Sequence, residues 1–404
     1  MGAKNKIILL SLIVSTQLAL FGGVIPEDKG TVSGLIRLGV INQNNEASTD
    51  TYATALGGIL KYETPVWNSM KLGVAGYGSQ KLHFATGSFD DGKTNQDFLS
   101  EDGSSFAYVG EAYADYSANN VNVRIGRQLI DTPLVNTDDI RMLPDGYEAA
   151  LATYSGVEKT TFTAGYIKRW AGYDSGADIS RFKKLAEGSH GASMIGFTNE
   201  SIEKLSIQGW FYSIDKMADI TYADAAYKIV YCDSRSLELL AQAAHFTEDK
   251  DSAGTLSNID GNVYGIGANY DWGIVTLGAA YNEASNKEGR SVGYGLGGGP
   301  YYTSMEEWTI VGMQDAKAYR GSIAIDLSDA GLKGLTFTSA YGLFKSGSTD
   351  KKVDEWDIVA TYAQNDTLSA DVSYAKIDDK HDNADASNGD AGYDRFLARL
   401  HYRF

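Results

Sequence analysis

The sequence predicts an all-β fold: a transmembrane antiparallel β-barrel of about 18 strands with short periplasmic turns and long extracellular loops. Three observations carry that expectation. From Thr31 to Phe404 the chain repeats segments of about ten residues in which polar and apolar side chains alternate, the period of a strand. Very short connections take turns with long polar ones, as a membrane barrel requires. The chain also closes on an amphipathic segment whose last residue is aromatic, Phe404.

Composition fits. The 404 residues include 45 glycines, 26 tyrosines and only 5 prolines, a mixture suited to pleated strands joined by tight turns. Pro26, Pro65, Pro133, Pro144 and Pro300 all fall outside the alternating segments, as ladder hydrogen bonding demands. After the N-terminal region, no run approaches the ~20 apolar residues of a spanning helix. A membrane location would therefore require a closed barrel.

Residues 1–23 read as a secretory signal peptide, with Lys4 and Lys6 ahead of apolar runs at 7–14 and 18–21. Residues 24–404 then form one outer-membrane barrel domain. Losing that leader removes two lysines and no acid, so the formal charge goes from −17 to −19. A chain this acidic, without a basic cluster, is not expected to bind nucleic acid. The single cysteine, Cys232, excludes an internal disulfide framework and is expected to be buried and inert.

The alternation is clearest at the C-terminus, where Phe396, Ala398, Leu400, Tyr402 and Phe404 share one face. Arg395, Leu397, Arg399, His401 and Arg403 share the other. Leu277, Ala279 and Tyr281 likewise oppose Thr276, Gly278 and Ala280, and Trp356 and Ile358 oppose Glu355 and Asp357. Faces rich in Gly, Ser, Thr and charge cannot form a dry core, so they are assigned to a water-filled lumen. Short connections are expected near Pro65, Asn119, Glu158, 202–204, 233–235, Gly273 and Asn365. Long ones are expected at 83–104, 131–146, 171–190, 248–260, 286–316 and 378–391. Trp67, Trp272, Tyr402 and Phe404 suit a periplasmic aromatic girdle, and Trp170 an outer one.

Two loops differ from plain solvated connections. Residues 126–144, GRQLIDTPLVNTDDIRMLP, mix polar and apolar residues around two prolines and can fold inward on the barrel wall. Residues 293–310 carry a glycine cluster, but neither the lysine nor the strand–helix context of a phosphate-binding loop is present. The stretch Gly110-Glu111-Ala112-Tyr113, the runs GRQLIDTP at 126–133 and NTDDIRMLP at 136–144, GPYYTSMEE at 299–307 and DAKAY at 315–319 together resemble the OprD family of outer-membrane porins. The resemblance implies an 18-stranded barrel, often trimeric, narrowed by inward-folded third and seventh extracellular loops. It also implies passage of amino acids, small carboxylates or cations along a ladder of basic residues.

Alternation offers its own test of such a ladder. An arginine facing lipid near the bilayer midplane costs ~2–4 kcal/mol, so Arg37, Arg124, Arg169, Arg320, Arg395, Arg399 and Arg403 are expected to line the lumen. Arg127 breaks parity with Arg124, and Gly126 suggests a bulge there. Opposing acids are Glu111 and Asp115 on the wall. In the first loop Asp131, Asp138 and Asp139 accompany Arg141, and in the second stand Glu306 and Glu307. A cationic wall facing acidic loops would set up a transverse field that sorts ions by sign.

The acidic outer stretches 248–251 and 378–385 are read first as a solvated outer surface; contact with lipopolysaccharide or a weakly held divalent cation is the alternative, although neither has calcium-loop spacing. No other cofactor is expected. Catalysis is not expected either. His83, His190, His245, His381 and His401 lack an evident nucleophile partner, and no Gly-x-Ser-x-Gly elbow occurs. The function expected is passive diffusion of small polar or charged solutes across the outer membrane of a Gram-negative bacterium, by a homotrimer embedded in lipid. The alternatives are a plugged structural or adhesin barrel acting through its acidic outer loops, and a secreted β-sandwich.

Overall fold

Alternating strands in lipid can satisfy their backbone only if every strand is paired on both sides, so the sheet must close. It does. The computed structural model describes residues 29–176, 178–252, 258–349, 351–379 and 392–404. The expected signal peptide, His381 and most of the acidic stretch 378–385 lie outside these residues.

The first nine strands are β1 (Thr31–Asn45), β2 (Thr51–Glu63), β3 (Met70–Lys81), β4 (Phe106–Ala118), β5 (Val121–Gln128), β6 (Gly146–Val157), β7 (Thr160–Ala171), β8 (Ala192–Asn199) and β9 (Leu205–Ile214). They are followed by β10 (Ala218–Cys232), β11 (Arg235–Glu248), β12 (Gly261–Trp272), β13 (Val275–Asn286) and β14 (Lys317–Asp326). The last four are β15 (Leu335–Lys345), β16 (Lys352–Ala363), β17 (Leu368–Asp379) and β18 (Tyr393–Arg403). All pair antiparallel with their sequence neighbours, and β1 also pairs with β18, placing Arg37 beside His401 and Gly39 beside Arg399.

The faces follow the expected parity. Along β18, Phe396, Leu400 and Tyr402 are exposed outward while Arg395, Leu397 and His401 are buried inside. Trp67, Trp272, Tyr402 and Phe404 are exposed at the turn end, where an aromatic girdle belongs. Trp170 is a correction. It stands at the outer end of β7 but faces inward, opposite Tyr147 and stacked on its ring at 6.4 Å. Cys232 is another: a register shift between Val230 and Cys232 leaves the thiol exposed at the edge of a two-residue turn.

Outer connections 2, 3, 4 and 7 are long and are termed L2 (82–105), L3 (129–145), L4 (172–191) and L7 (287–316). Three further outer connections, 46–50, 215–217 and 346–351, are as short as turns. Because L3 and L7 carry apolar side chains, they fold into the barrel. Leu134, Val135, Leu296, Ile310 and Met313 are buried in one cluster with wall residues Tyr147, Ile167, Trp170 and Phe344. The two loops also pair with each other. The Asn136 amide donates to the Leu296 carbonyl at 3.0 Å, and the Leu296 amide to the Leu134 carbonyl at 2.7 Å. Gly295 and Gly297 make this approach possible: both have positive φ, and an added Cβ would meet the Leu134 or Asn136 carbonyl at 2.0 or 2.3 Å.

Candidate functional site

Side chains alternate along a strand, so residues four apart on β18 project into the lumen about 13 Å from one another. Arg395, Arg399 and Arg403 occupy that series, and register brings Arg37 of β1 beside it. Arg37 is 1 % exposed. Its two terminal nitrogens grip the Asp139 carboxylate of L3 at 2.7 and 2.8 Å, and one of them also donates to the Arg141 carbonyl at 2.8 Å. Arg399 donates to the Asp139 and Arg141 carbonyls at 3.1 and 3.0 Å and pairs with Asp371 of β17 at 2.9 Å. Burial would raise the Asp139 carboxyl, but the Arg37 guanidinium overrides it and holds the group below the usual carboxylate range. Arg403 donates to Ser369 at 3.1 Å.

At the outer end of the series, Arg395 bridges L7 and L2. It pairs with Glu307 at 2.6 Å and with Asp97. L7 is further held from beneath by β16: Glu355 accepts the Glu307 and Trp308 amides at 2.8 and 2.7 Å, and Asp357 accepts the Glu306 amide at 3.1 Å. Arg320 of β14 faces this group from within the lumen; its Nε finds no acceptor. The Glu306 carboxyl is open to lumen water, yet the surrounding barrel strips away much of its hydration. That desolvation, with Asp357 and Glu307 nearby, pushes it up to about 7.

The other loop acids play different parts from those expected. Asp138 adopts a left-handed φ of 38°. It faces Asp174 of L4 rather than the arginine series, and burial together with Asp174 raises its carboxyl well above the usual range. Asp145 joins them, and burial with Asp174 and Asp138 beside it raises its carboxyl well above the usual range. Asp131 is turned into L3 itself, accepting the Thr137 amide and hydroxyl at 3.0 and 2.8 Å. Arg141 packs its guanidinium on the Tyr173 ring, 4.7 Å from the centroid, and pairs with Asp97 at 3.3 Å.

Glu111 and Asp115 do face the lumen, but they meet neighbours on the wall instead of charges across a gap. Glu111 pairs with Lys61 at 2.9 Å and accepts the Tyr77 hydroxyl at 3.0 Å; Asp115 pairs with Arg124 at 2.7 Å. Arg127 and Arg169 leave the lumen series. Both lie 3.9 Å from Glu148, on the face opposite the inward-packed Gln128, Tyr147 and Trp170. A register shift between Glu148 and Ala149 inserts an extra residue in β7 and reverses the parity that would turn Arg169 inward.

Sequence reasoning missed Lys61, Asp97, Asp174, Glu355, Asp357, Asp371 and His401 as constriction residues. Parity had already put Glu355, Asp357, Asp371 and His401 on wet faces, so their side was legible and their partners were not. Among the described residues, no group of three or more His, Cys, Asp or Glu is arranged to hold a metal ion. In the 248–251 stretch, Glu248 accepts from Ser252 and the Asn258 amide and pairs with Arg290 at 2.9 Å.

Eighteen strands closed around a charged lumen narrowed by two inward loops define a porin-class barrel of the outer membrane. The chain belongs to the OprD family of outer-membrane porins, whose sequence profile matches residues 65–375. No curated protein matches it significantly. Its fold is similar to that of solved Pseudomonas aeruginosa barrels. OccK1 (OpdK) superposes with a TM-score of 0.74 at 16% identity, covering 92% of this chain and 98% of that one. OccK9 (OpdG) reaches 0.77 at 16% identity, covering 93% and 98%. OccK8 (OprE) gives 0.74 at 16% identity with the same coverage as OccK9.

Proposed function

We propose that ions, amino acids and small carboxylates diffuse passively past the L3–L7 constriction, and that Arg37, Arg395 and Arg399 with their loop carboxylates set its width and charge preference. The observation that carries this reading is the double hold of Arg37 and Arg399 on Asp139 and the Arg141 carbonyl, which fixes L3 against the wall. Most wall arginines are neutralised by nearby carboxylates, so local contacts with solute stay weak, as fast passage requires. One solved structure of OpdK carries vanillate, which favours small carboxylates among the solutes. The test is single-channel conductance in planar bilayers, with reversal potential across a salt gradient. Discrete open steps are expected, and deleting residues 136–142 from the folded barrel should enlarge them. Equal conductance after the deletion would mean that L3 does not constrict.

The same reading includes a homotrimer whose acidic outer loops meet lipopolysaccharide. Register aligns Ile36, Gly58, Gly78 and Ala107 in one row across the outward faces of β1–β4, beside a shallow groove of about 670 Å³. Small residues there allow another barrel to approach closely. Crosslinking in native membranes should yield a three-chain species.

A further inference from the structure

A closed ring of hydrogen bonds fastens L3, and one member of it is a histidine in the acceptor state. Arg37 Nε donates to His401 Nδ1 at 3.0 Å. An arginine guanidinium keeps its protons under all ordinary conditions, so Nδ1 must contribute a lone pair. The ring proton therefore resides on Nε2, which donates to Asp371 Oδ1 at 2.6 Å. The other oxygen of Asp371 receives Arg399 Nε at 2.9 Å. Arg399 and Arg37 then converge on the same Arg141 carbonyl of L3, at 3.0 and 2.8 Å. The circuit runs His401, Arg37, L3, Arg399, Asp371 and back to His401. His401 is 5 % exposed and Arg37 1 %, so water does not readily replace a lost partner.

We propose that neutral His401 is a positioning residue for the constriction: it orients Arg37 on Asp139, and a proton on its Nδ1 releases the third loop. The proton would convert Nδ1 from acceptor to donor, facing an arginine N–H with two positive charges in contact. Both cannot hold that geometry, so Arg37 must swing away and loosen its grip on Asp139 and Arg141. The charged groups facing the ring are Arg37 of β1, Asp371 of β17, Arg399 and Arg403 of its own strand, and Asp139 of L3. The imidazole is the one group among them that becomes a cation by taking up a proton. L3 is thus latched at neutral pH and unlatched by acid.

This rests on the channel reading above, and the experiment separates the two. Single-channel conductance is recorded at pH 7.5 and pH 5 and corrected for bulk conductivity. The wild-type ratio should rise on the order of twofold on acidification. His401→Gln keeps one acceptor and one donor and cannot take the proton, so its ratio should fall to what Glu306 titration leaves, and to near unity in the double variant with Glu306→Gln. Arg37→Gln lacks the latch at either pH and should also lose the response. A wild-type ratio of one, or a His401→Gln ratio equal to wild type, overturns the latch while leaving the channel intact. Absence of open steps at any pH would instead refute the channel reading itself.

Discussion

L3 is held by wall arginines that seize its carboxylate and carbonyls, whereas L7 is held largely by wall carboxylates that receive its backbone N–H groups. The two docks have opposite polarity and stand on different arcs of the barrel. L3 meets β1 and β18, and L7 meets β16, β11 and β13, with Arg395 as its guanidinium anchor among the described residues. A lumen built this way avoids a uniformly basic wall. It also means that a single charge change on the wall acts on whichever loop that arc retains, so loop position and electrostatics cannot be varied independently.

The largest effect should come from the L7 dock. Glu355 is fully buried and accepts two amides, so Glu355→Ala leaves both donors unpaired, at a cost of about 2–5 kcal/mol. L7 should then become cleavable by protease added to the folded, heat-modifiable barrel, with L3 still resistant. If L7 stays uncut, its apolar packing and the amides accepted by Asp357, Gln242 and Asn282 retain it, and the contrast between docks collapses.

Arg37→Ala tests the other arc and should be milder. Removing one partner of a buried pair is costly, but the Asp139 side chain is 39% exposed and can recover lumen water. The loss should therefore fall to about 1–2 kcal/mol. Hydrogen exchange should speed up in residues 136–142 and not in L7. Equal exchange in both loops would show that they move as one body through the Val135–Leu296 bridge.

The difference between the docks also governs what could be read from sequence. Eighteen strands, the lumen face of β18 and the inward folding of L3 were legible, because each follows from alternation or from apolar residues in a loop. The arginine partners were only half legible. Asp138 and Asp139 are adjacent, and nothing in their spacing tells that a left-handed φ at Asp138 sends one to L4 and the other to Arg37. Arg169 was misplaced because a single extra residue in β7 inverts parity. The L7 dock left still less trace: wall carboxylates receive main-chain N–H groups, and a main-chain donor has no residue type. Glu355 and Asp357 could be seen as wet, but not as the seat of a loop.

Glu306 sharpens the comparison through pH. With its carboxyl pushed up to about 7 by desolvation inside the barrel, with Asp357 and Glu307 nearby, it is neutral in acid and charged in base. Cation preference should rise as pH climbs from about 6 to about 8, and Glu306→Gln should flatten that rise. The linkage has a definite sign. A carboxyl raised above its unfolded value favours the docked state most at pH below the ordinary carboxylate range, and that support fades as pH rises through about 7. L7 should therefore loosen in alkali, opposite to the acid release inferred for L3. A reversal potential independent of pH would mean that Glu306 does not sense the ion path.

The smallest effect expected contrasts a lumen arginine with one on the outer face. Arg399 projects into the lumen and pairs with Asp371, while Arg169 pairs with Glu148 on the other face. Arg399→Ala uncovers Asp371 in the channel and frees two L3 carbonyls, and should move the reversal potential a few millivolts toward cations, with the electrostatic part of the shift screened away at high salt. Arg169→Ala removes the same formal charge without altering the lumen and should leave the potential where it was. Were both substitutions to shift it equally, net charge rather than position would govern selectivity, and the distinction between lumen and outer-face arginines would carry no weight for ion flow.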